Sequence, residues 1–376
     1  MAAGKGRLAV LREEPRAFEI REYPVPEPEP GAVLARVTMA GVCGSDLHAW
    51  RGELKSDAPW GAAQGSGTAQ GHEMVGVVER LGDGVTADSS GNPLREGDRV
   101  CHMIFAPCFH CPSCTRSTYS LCPNLRGLFR HPDEWPHFSG TFADYYYVPP
   151  RHFIYRIPDS LPDQIVASVN CAMAATMDAL KGVGQLQGAT VVILGMGGLG
   201  LSSAAIAKDM GAYQVIAVDR IAERLALATE FGADYTIRVA DFPAPAERID
   251  RVRELTELNA GADLVVEVAG VADLVPEGVA MLRDGGTLLE IGNVVPGQTI
   301  QFDPSTIRRR KKLIGSAGYD PSTIPMVLKV LERTRNRYPF EKLCSHVFSL
   351  DQIDQAFEAA DWQGGGTDVI RAYLRP

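Results

Sequence analysis

The chain has 376 residues, of which 45% are hydrophobic and 22% charged, and its formal net charge is −9 at pH 7. A chain of this length exceeds the size at which one hydrophobic core keeps growing, so we expect two domains. No apolar run approaches the roughly 20 residues of a membrane span, and the acidic balance disfavours nucleic-acid binding. Because the N-terminus also lacks an apolar export signal, we expect a cytoplasmic protein that binds neither membranes nor nucleic acids.

The first part of the chain reads as an irregular β-rich domain. Glycines, prolines and turn residues separate short strand-like runs, such as 33–38, 75–79 and 145–148. A final strand-like stretch at 368–374 could return to this domain from the C-terminus. We therefore expect a discontinuous β-rich domain made of residues 1–172 and 318–376.

Three residues of this domain could together hold a metal ion. They are Cys43 in GVCGSDLH, His72 in GHE and Cys171 in VNCAMAAT. Any one of them alone is more often a buried structural residue. As a set, two cysteines and one histidine bind zinc in catalytic sites and leave the fourth position for water or a substrate oxygen.

A second cysteine group lies on one short loop, with the spacing C-x2-C-x2-C-x7-C. Four thiolates brought together in this way fit a closed tetrahedral zinc site, which has no open position and is therefore structural. Iron–sulfur clusters also use close cysteines, but their usual spacing ends differently. Disulfides are disfavoured because we expect no export. The expected ligands are Cys108, Cys111, Cys114 and Cys122.

Residues 173–317 change to a regular alternation of apolar strands and helical patterns, which predicts a doubly wound parallel sheet. The expected strands are 190–194, 214–218, 235–237, 263–268, 287–291 and 313–316.

The first of these strands runs directly into a glycine-rich turn that opens a helix. This G-x-G-x-x-G context is typical of pyrophosphate binding by backbone N–H groups. Asp219 ends the next strand, where a carboxylate accepts hydrogen bonds from the ribose hydroxyls and repels the extra phosphate of NADP. Arg220 beside it could hold that phosphate instead, but next to an intact aspartate we favour NAD. The residues of the turn are Gly195, Gly197, Gly198, Leu199 and Gly200.

Taken together, these motifs resemble the zinc-containing medium-chain alcohol dehydrogenases over nearly the whole chain. The matching segments are GVCGSDLH at 41–48, GHEMVGVVERLG at 71–82, GDRV at 97–100, the four-cysteine loop and GMGGLG at 195–200. The resemblance implies a GroES-like catalytic domain beside a Rossmann nucleotide-binding domain. It also implies two zinc ions in each chain, one catalytic and one structural.

The resemblance also assigns roles to residues of the active site. Cys43, His72 and Cys171 would bind the catalytic zinc, and Glu73 would lie beside the metal and ligate it transiently. Ser45 and His48 would relay the alcohol proton outward. Asp46 would orient a metal ligand, as metal-bound histidines usually require.

Three further positions are implied by the resemblance at the cofactor. Arg224 would reach the adenosine ribose and Arg371 the pyrophosphate, although either could be an ordinary surface cation. The family usually places a threonine four residues after the ligand that matches Cys171, whereas here Thr176 follows five residues later. Whether Thr176 touches the nicotinamide is therefore open at this point.

The expected activity is hydride transfer between NAD and a primary or secondary alcohol, or its aldehyde or ketone. Polyol and threonine dehydrogenases are alternatives because they share similar segments. A zinc-free quinone or enoyl reductase would not need the cysteines, and a non-catalytic nucleotide-binding module would have lost ligands. Trp60 and Phe142 are candidates to line an apolar substrate pocket. The family resemblance also implies a homodimer or homotetramer that pairs edge strands near residues 287–302.

Overall fold

The computed structural model describes residues 4–12, 16–54, 67–127, 131–363 and 369–376. The backbone forms two compact units, Met1–Ala174 with Tyr319–Thr334 and Phe340–Pro376, and Ala175–Gly318 with Arg335–Pro339. Within the ranges that the structure describes, no helix has the length and apolar character needed to cross a membrane.

The strands and helices follow one another along both units. The strands are β1 Lys5–Leu11, β2 Phe18–Pro24, β3 Val33–Gly41, β4 Glu73–Leu81, β5 Arg99–His102, β6 Phe105–Ala106, β7 Arg126–Gly127, β8 Tyr145–Val148, β9 Ile154–Arg156, β10 Thr190–Leu194, β11 Gln214–Asp219, β12 Tyr235–Arg238, β13 Ala262–Glu267, β14 Leu282–Glu290, β15 Lys312–Gly315, β16 His346–Ser349 and β17 Ala372–Arg375. The helices are α1 Gly44–Trp50, α2 Pro112–Thr115, α3 Asp163–Val166, α4 Ala174–Val183, α5 Gly198–Asp209, α6 Ala222–Glu230, α7 Pro245–Leu255, α8 Leu274–Met281, α9 Thr323–Thr334 and α10 Ile353–Ala360, with a π-helical turn at Val169–Met173.

The first unit is organised around a seven-stranded sheet in the order β16-β17-β3-β4-β5-β9, with β8 also paired to β3. Strands β3 and β4 pair antiparallel, and the last pair in their register is Gly41 with Glu73. Strand β17 pairs with the other edge of β3, where Tyr373 lies opposite Gly41. One end of this ladder therefore brings together the chain around residues 41, 73 and 373.

The second unit contains a fully parallel sheet in the order β12-β11-β10-β13-β14-β15. Strands β10 and β11 are almost entirely buried, as expected for strands of a doubly wound sheet. The predicted fold class is confirmed, and each predicted strand overlaps an observed one. Strand β14 begins at Leu282, earlier than predicted. The additional residues, 282–286, lie next to a register shift in the pairing of β13 with β14.

The edge of this sheet differs from the sequence-based expectation. The segment 287–302 was expected to contain edge strands, but β14 is internal because it pairs with both β13 and β15. Strand β15 is the edge on that side. Its residues are mostly exposed, and Leu313 is 43% exposed.

The carboxyl ends of β13 and β14 bring two acidic side chains together. Glu267 is fully buried, and its Oε1 accepts hydrogen bonds from the backbone N–H groups of Ala269 and Gly270 at 2.9 and 3.0 Å. Asn293 Nδ2 lies 3.3 Å from Glu267 Oε2 and 3.1 Å from Glu290 Oε1. Burial, together with the nearby charge of Glu290, raises the pKa of Glu267 to about 8.

This raised pKa predicts a pH-dependent contribution to stability. The folded pKa lies above the ordinary value of 4.5, so the contribution is complete below that value and is lost as pH rises through about 8. Glu267→Gln imitates the protonated carboxyl and removes this titration. We expect the variant to be more stable than the wild type at about pH 9 by a few kcal/mol, and nearly equal at about pH 4.5.

Urea unfolding at a series of pH values measures this difference. Glu254→Gln is the matched control because Glu254 is a 63% exposed side chain in the same unit. Parallel stability curves for Glu267→Gln and the wild type would contradict the prediction.

Candidate active site

The first helix starts at a candidate metal ligand. Cys43 is the N-cap of α1, and Asp46 lies in the first turn of that helix. Asp46 Oδ2 accepts a hydrogen bond from the backbone N–H of Cys43 at 2.9 Å, and Asp46 Oδ1 lies 3.2 Å from Nδ1 of His72. A carboxylate at Nδ1 leaves Nε2 of the imidazole available to a metal. One buried carboxylate thus positions two of the candidate ligands.

Cys171 reaches the same place from the π-helical turn that precedes α4. Its Sγ lies 3.8 Å from Sγ of Cys43. The neighbouring Asn170 donates a hydrogen bond from Nδ2 to the carbonyl of His72 at 2.9 Å, and the Tyr319 hydroxyl donates to the carbonyl of Asn170. These buried contacts tie the turn to the segment before β4, which contains His72. The sequence analysis did not identify Asn170, and no local pattern marks it.

Four candidate ligand atoms meet in the first unit. One atom each from Cys43, His72, Glu73 and Cys171 lies within 4.8 Å of the other three. With a Zn–S distance of about 2.3 Å, tetrahedral geometry places two thiolate sulfurs about 3.8 Å apart. The separation between the two cysteines matches this value, so the cluster has the size of a zinc site.

The charges of the cluster also favour a divalent cation. The contact with Cys171 lowers the pKa of Cys43 well below its usual value, while the contact with Cys43 and burial raise the pKa of Cys171. One of two thiols this close therefore ionises more readily than the other. A divalent cation between them would allow both to ionise. The donor set thus fits zinc.

Glu73 is held beside this cluster by an arginine. Glu73 is fully buried, and its Oε2 accepts a hydrogen bond from Nη2 of Arg371. Burial raises the pKa of Glu73 to about 7, against the opposing charge of Arg371. Among the described residues, Oε1 of Glu73 has no hydrogen-bond partner, so this oxygen is available to a metal. A Cβ at Gly41 would lie 2.2 Å from Oε2, which explains the glycine there.

Arg371 was expected at the cofactor pyrophosphate. In the structure its side chain is buried, and its guanidinium bonds Glu73 and lies 3.5 Å from the carbonyl of Val42. The pyrophosphate contact stays a prediction. Its partnership with Glu73 was not foreseen, because the two residues are 298 positions apart.

The two relay candidates lie on α1. Ser45 is in its first turn and His48 in its last, and residues three apart face the same side of a helix. The His48 side chain is 15% exposed, and its Nδ1 is bonded to the carboxylate of Glu53. The edge of its ring packs against Trp362 at a centroid distance of 5.6 Å. Glu53 was not among the predicted site residues.

The four-cysteine loop forms a second cluster. Its sulfurs lie 3.9 Å apart for Cys108 and Cys114, 3.4 Å for Cys111 and Cys114, and 3.7 Å for Cys111 and Cys122. These distances exceed a disulfide bond of about 2.05 Å and approach the tetrahedral value of about 3.8 Å. Backbone N–H groups of Cys108 and Cys114 point to sulfurs of the loop at 3.4 and 3.5 Å. This arrangement fits a closed structural zinc site.

In the glycine-rich turn of the second unit, backbone segments pack so closely that a side chain would not fit between them. Gly195 has φ of 100°, and a Cβ at Gly200 would lie 1.9 Å from the carbonyl oxygen of Gly195. Gly197 is the N-cap of α5, and Gly198 and Leu199 form the start of that helix. The N–H groups there have no intrahelical acceptor, as a pyrophosphate site requires.

Asp219 ends β11 next to this turn. Its Oδ2 accepts a hydrogen bond from the N–H of Met196 at 2.6 Å, and its Oδ1 accepts from Ile221 at 2.8 Å. Each oxygen keeps a second lone pair that a ribose hydroxyl can use. Arg224 Nη1 lies 3.9 Å from the position of a Cβ on Gly197, whereas Arg220 is exposed. Cofactor contacts of these three side chains stay predictions.

The two aromatic residues suggested for a substrate pocket have different outcomes. Phe142 is fully buried and contacts Phe18 and Phe357 at centroid distances of 6.5 and 5.6 Å. It belongs to the core, so its assignment to a pocket was wrong. Trp60 lies outside the described residues.

Two family models match the chain. The alcohol dehydrogenase GroES-like domain matches residues 29–159, and the zinc-binding dehydrogenase model matches residues 198–333. Among curated relatives, 5-exo-hydroxycamphor dehydrogenase of Pseudomonas putida is 34% identical over 94% of both chains. Erythritol/L-threitol dehydrogenase of Mycolicibacterium smegmatis is 31% identical over 98% of this chain and 97% of the relative.

A solved structure agrees with these relatives. An alcohol dehydrogenase from Thermotoga maritima superposes with a TM-score of 0.88 at 26% identity, covering 99% of this chain and all of that one.

The four-cysteine cluster predicts a specific loss of metal and stability. Cys111→Ser should lower the zinc content by one ion per chain and the melting temperature by about 5–10 °C, since 1 kcal/mol corresponds to roughly 2–4 °C in a domain of this size. Metal analysis and thermal unfolding measure both effects. Cys101→Ser is the control, because Cys101 is buried outside both clusters. Unchanged zinc content in Cys111→Ser would exclude a structural zinc site here.

Proposed function

Because the chain belongs to the zinc-containing medium-chain alcohol dehydrogenase family, we propose that it transfers a hydride between a primary or secondary alcohol and NAD. The observation that carries this proposal is the cluster of Cys43, His72, Glu73 and Cys171 in the first unit. Relatives in this family act on small-molecule alcohols, as their names state.

The chain supplies both the ligands and the proton path for this reaction. A zinc ion held by Cys43, His72 and Cys171 would act as a Lewis acid on the alcohol oxygen, and a bound nicotinamide would accept the hydride. Ser45 takes up the proton of the alcohol hydroxyl, and His48 carries it outward. In the reverse direction the same groups return a proton to the carbonyl oxygen.

Asp46 and Arg371 keep the buried charges of this site in place. Asp46 lies at the Nδ1 side of His72, so Nε2 would be the atom that binds the metal. Arg371 holds Glu73 by one carboxylate oxygen. One carboxylate oxygen of Glu73 lies within 4.8 Å of the other three ligand atoms, which supports transient coordination.

A polyol is the second candidate substrate. The relative from Mycolicibacterium smegmatis is named for erythritol and threitol, and a sorbitol dehydrogenase of Gallus gallus is 30% identical over 98% of this chain. Threonine-type dehydrogenases share the same short segments. A panel of primary, secondary, alicyclic and polyol alcohols, assayed with NAD beside zinc analysis, separates these classes. Failure to oxidise any alcohol with zinc present would overturn the proposal.

We further propose a cytoplasmic homodimer or homotetramer. The exposed edge strand β15, with Leu313 at its surface, supports association through the sheet of the second unit. Sedimentation of the purified protein distinguishes the two states from a monomer.

The catalytic metal set predicts a sharp loss of activity on removal of one ligand. His72→Ala should lower kcat by roughly a thousandfold, about 4 kcal/mol, because the alcohol loses its Lewis acid. Binding of NAD, measured by nicotinamide fluorescence, should stay within about twofold because the dinucleotide site is in the other unit. His131→Ala, which changes an exposed histidine, is the control. Wild-type turnover by His72→Ala would exclude the metal mechanism.

Asp219 predicts the choice of cofactor. Asp219→Ala removes the carboxylate expected at the ribose hydroxyls and its repulsion of a 2′-phosphate. The ratio of kcat/KM for NAD to that for NADP should fall by about tenfold or more. Asp241→Ala, an exposed change in the same unit, should leave the ratio unchanged. If Asp219→Ala also left it unchanged, Asp219 would have no role at the ribose.

A further inference from the structure

The chain immediately after α1 folds back on the helix in a specific turn. The C-cap is Arg51, and the next residue, Gly52, has φ of 72°. The backbone N–H of Gly52 donates to the carbonyl of Ala49, and that of Glu53 donates to the carbonyl of His48, both at 2.9 Å. These two bonds define a Schellman motif, which requires a left-handed residue and therefore favours glycine.

This turn brings the side chain of Glu53 next to that of His48. The Glu53 carboxylate bonds Nδ1 of the imidazole. A carboxylate accepts a hydrogen bond, so the hydrogen of the neutral ring is on Nδ1 and the lone pair is on Nε2. Trp362 packs edge-on against the same ring at an interplanar angle of 77°. Bond and packing together restrict both the tautomer and the orientation of the ring.

A buried arginine, Arg51, lies next to the Glu53 carboxylate and offsets its negative charge. Arg51 Nη1 lies 3.8 Å from Oε2 of Glu53. The Arg51 side chain is 2% exposed, bonds Asp361 through Nη2, and lies over the Trp362 ring at 4.5 Å. The carboxylate that faces His48 is therefore itself held between the imidazole and a buried guanidinium. Such a chain of contacts is more than an incidental surface pair.

We propose that Glu53 is a positioning residue of the proton relay, holding His48 with hydrogen on Nδ1 so that Nε2 can accept the alcohol proton. This inference rests on the proposed function, in which His48 receives that proton. The alcohol O–H bond breaks, and its proton passes to the Ser45 hydroxyl as that hydroxyl gives its own proton to Nε2. The imidazolium then releases the Nε2 proton to water and returns to the tautomer with hydrogen on Nδ1. The hydride leaves separately to the nicotinamide, so protons and electrons balance. The Glu53 carboxylate also stabilises the imidazolium while it exists.

The direct test measures which ring nitrogen of His48 carries the hydrogen in the absence of substrate. Protein labelled with nitrogen-15 in histidine gives long-range proton–nitrogen spectra in which the two ring nitrogens are distinguished. His48→Gln assigns the His48 signals by their disappearance. In the wild type we expect a protonated Nδ1 and an unprotonated Nε2. In Glu53→Ala this preference should be lost, and in Glu53→Gln, where an amide oxygen can still accept the hydrogen bond, it should be retained.

The kinetic arm separates positioning from general damage to the fold. For Glu53→Ala we expect kcat for alcohol oxidation to fall about tenfold at about pH 6 and less than threefold at about pH 9, since solvent base replaces the relay at high pH. KM for NAD should change less than about twofold. Glu53→Gln should recover part of the loss. The control is Glu27→Ala, which removes another carboxylate paired to an arginine, Arg80, and should leave the pH profile unchanged.

The two arms have distinct failures. An identical His48 tautomer in the wild type and Glu53→Ala overturns the role of Glu53, whatever the activity. An Nε2-protonated ring in the wild type overturns it as well. A wild-type pH profile in Glu53→Ala also rejects the inference while leaving the dehydrogenase assignment intact. If the wild type oxidises no alcohol, the proposed function fails, and the spectra alone then decide whether Glu53 sets the tautomer.

Discussion

The candidate metal site depends first on the carboxylate of Asp46. It bonds the backbone N–H of Cys43 through one oxygen and lies against Nδ1 of His72 through the other. A carboxylate this deeply buried is costly unless polar partners surround it. Here its two neighbours are candidate ligands from different elements: Cys43, at the N-cap of α1, donates its backbone N–H, and His72, in the segment before β4, lies within ion-pair distance. The contacts that stabilise the buried carboxylate are therefore the same contacts that position the two candidate ligands.

The same arrangement of a buried charge with a fixed partner recurs around this site. Glu73 is bonded to Arg371, and His48 is bonded to Glu53. In each pair, the partner bonds one atom of the functional group and leaves another atom of that group available for the reaction. Helix α1 carries much of this organisation in one short segment, with a ligand at its N-cap, both relay candidates on one side and the Schellman turn at its end. Its short length is compatible with this role because Leu47 and Trp50 are buried in the core of the first unit.

The second unit meets a different constraint, which is the close packing of the backbone within the glycine-rich turn. A side chain at position 200 would overlap the carbonyl of Gly195, so only glycine allows the turn to close. Asp219 accepts hydrogen bonds from the backbone N–H of Met196 in this turn and from that of Ile221 just after β11. The parallel sheet ends at this edge with carboxylates on β11, β13 and β14. Among them, burial and the nearby charge of Glu290 raise the pKa of Glu267.

The sequence by itself determined the features that short stretches of chain encode. Apolar strand periodicity predicted the doubly wound sheet, and four cysteines within fifteen residues predicted their own cluster, because the chain between them is too short to separate them widely. Resemblance to a known family suggested Cys43, His72 and Cys171 as one set. Only the tertiary structure decided the partners of the buried charges. Arg371 and Glu73 are far apart in the chain, Asn170 has no sequence signal, and the edge position of β15 depends on the order of all six strands. Such contacts follow from strand order and packing, which local periodicity does not specify.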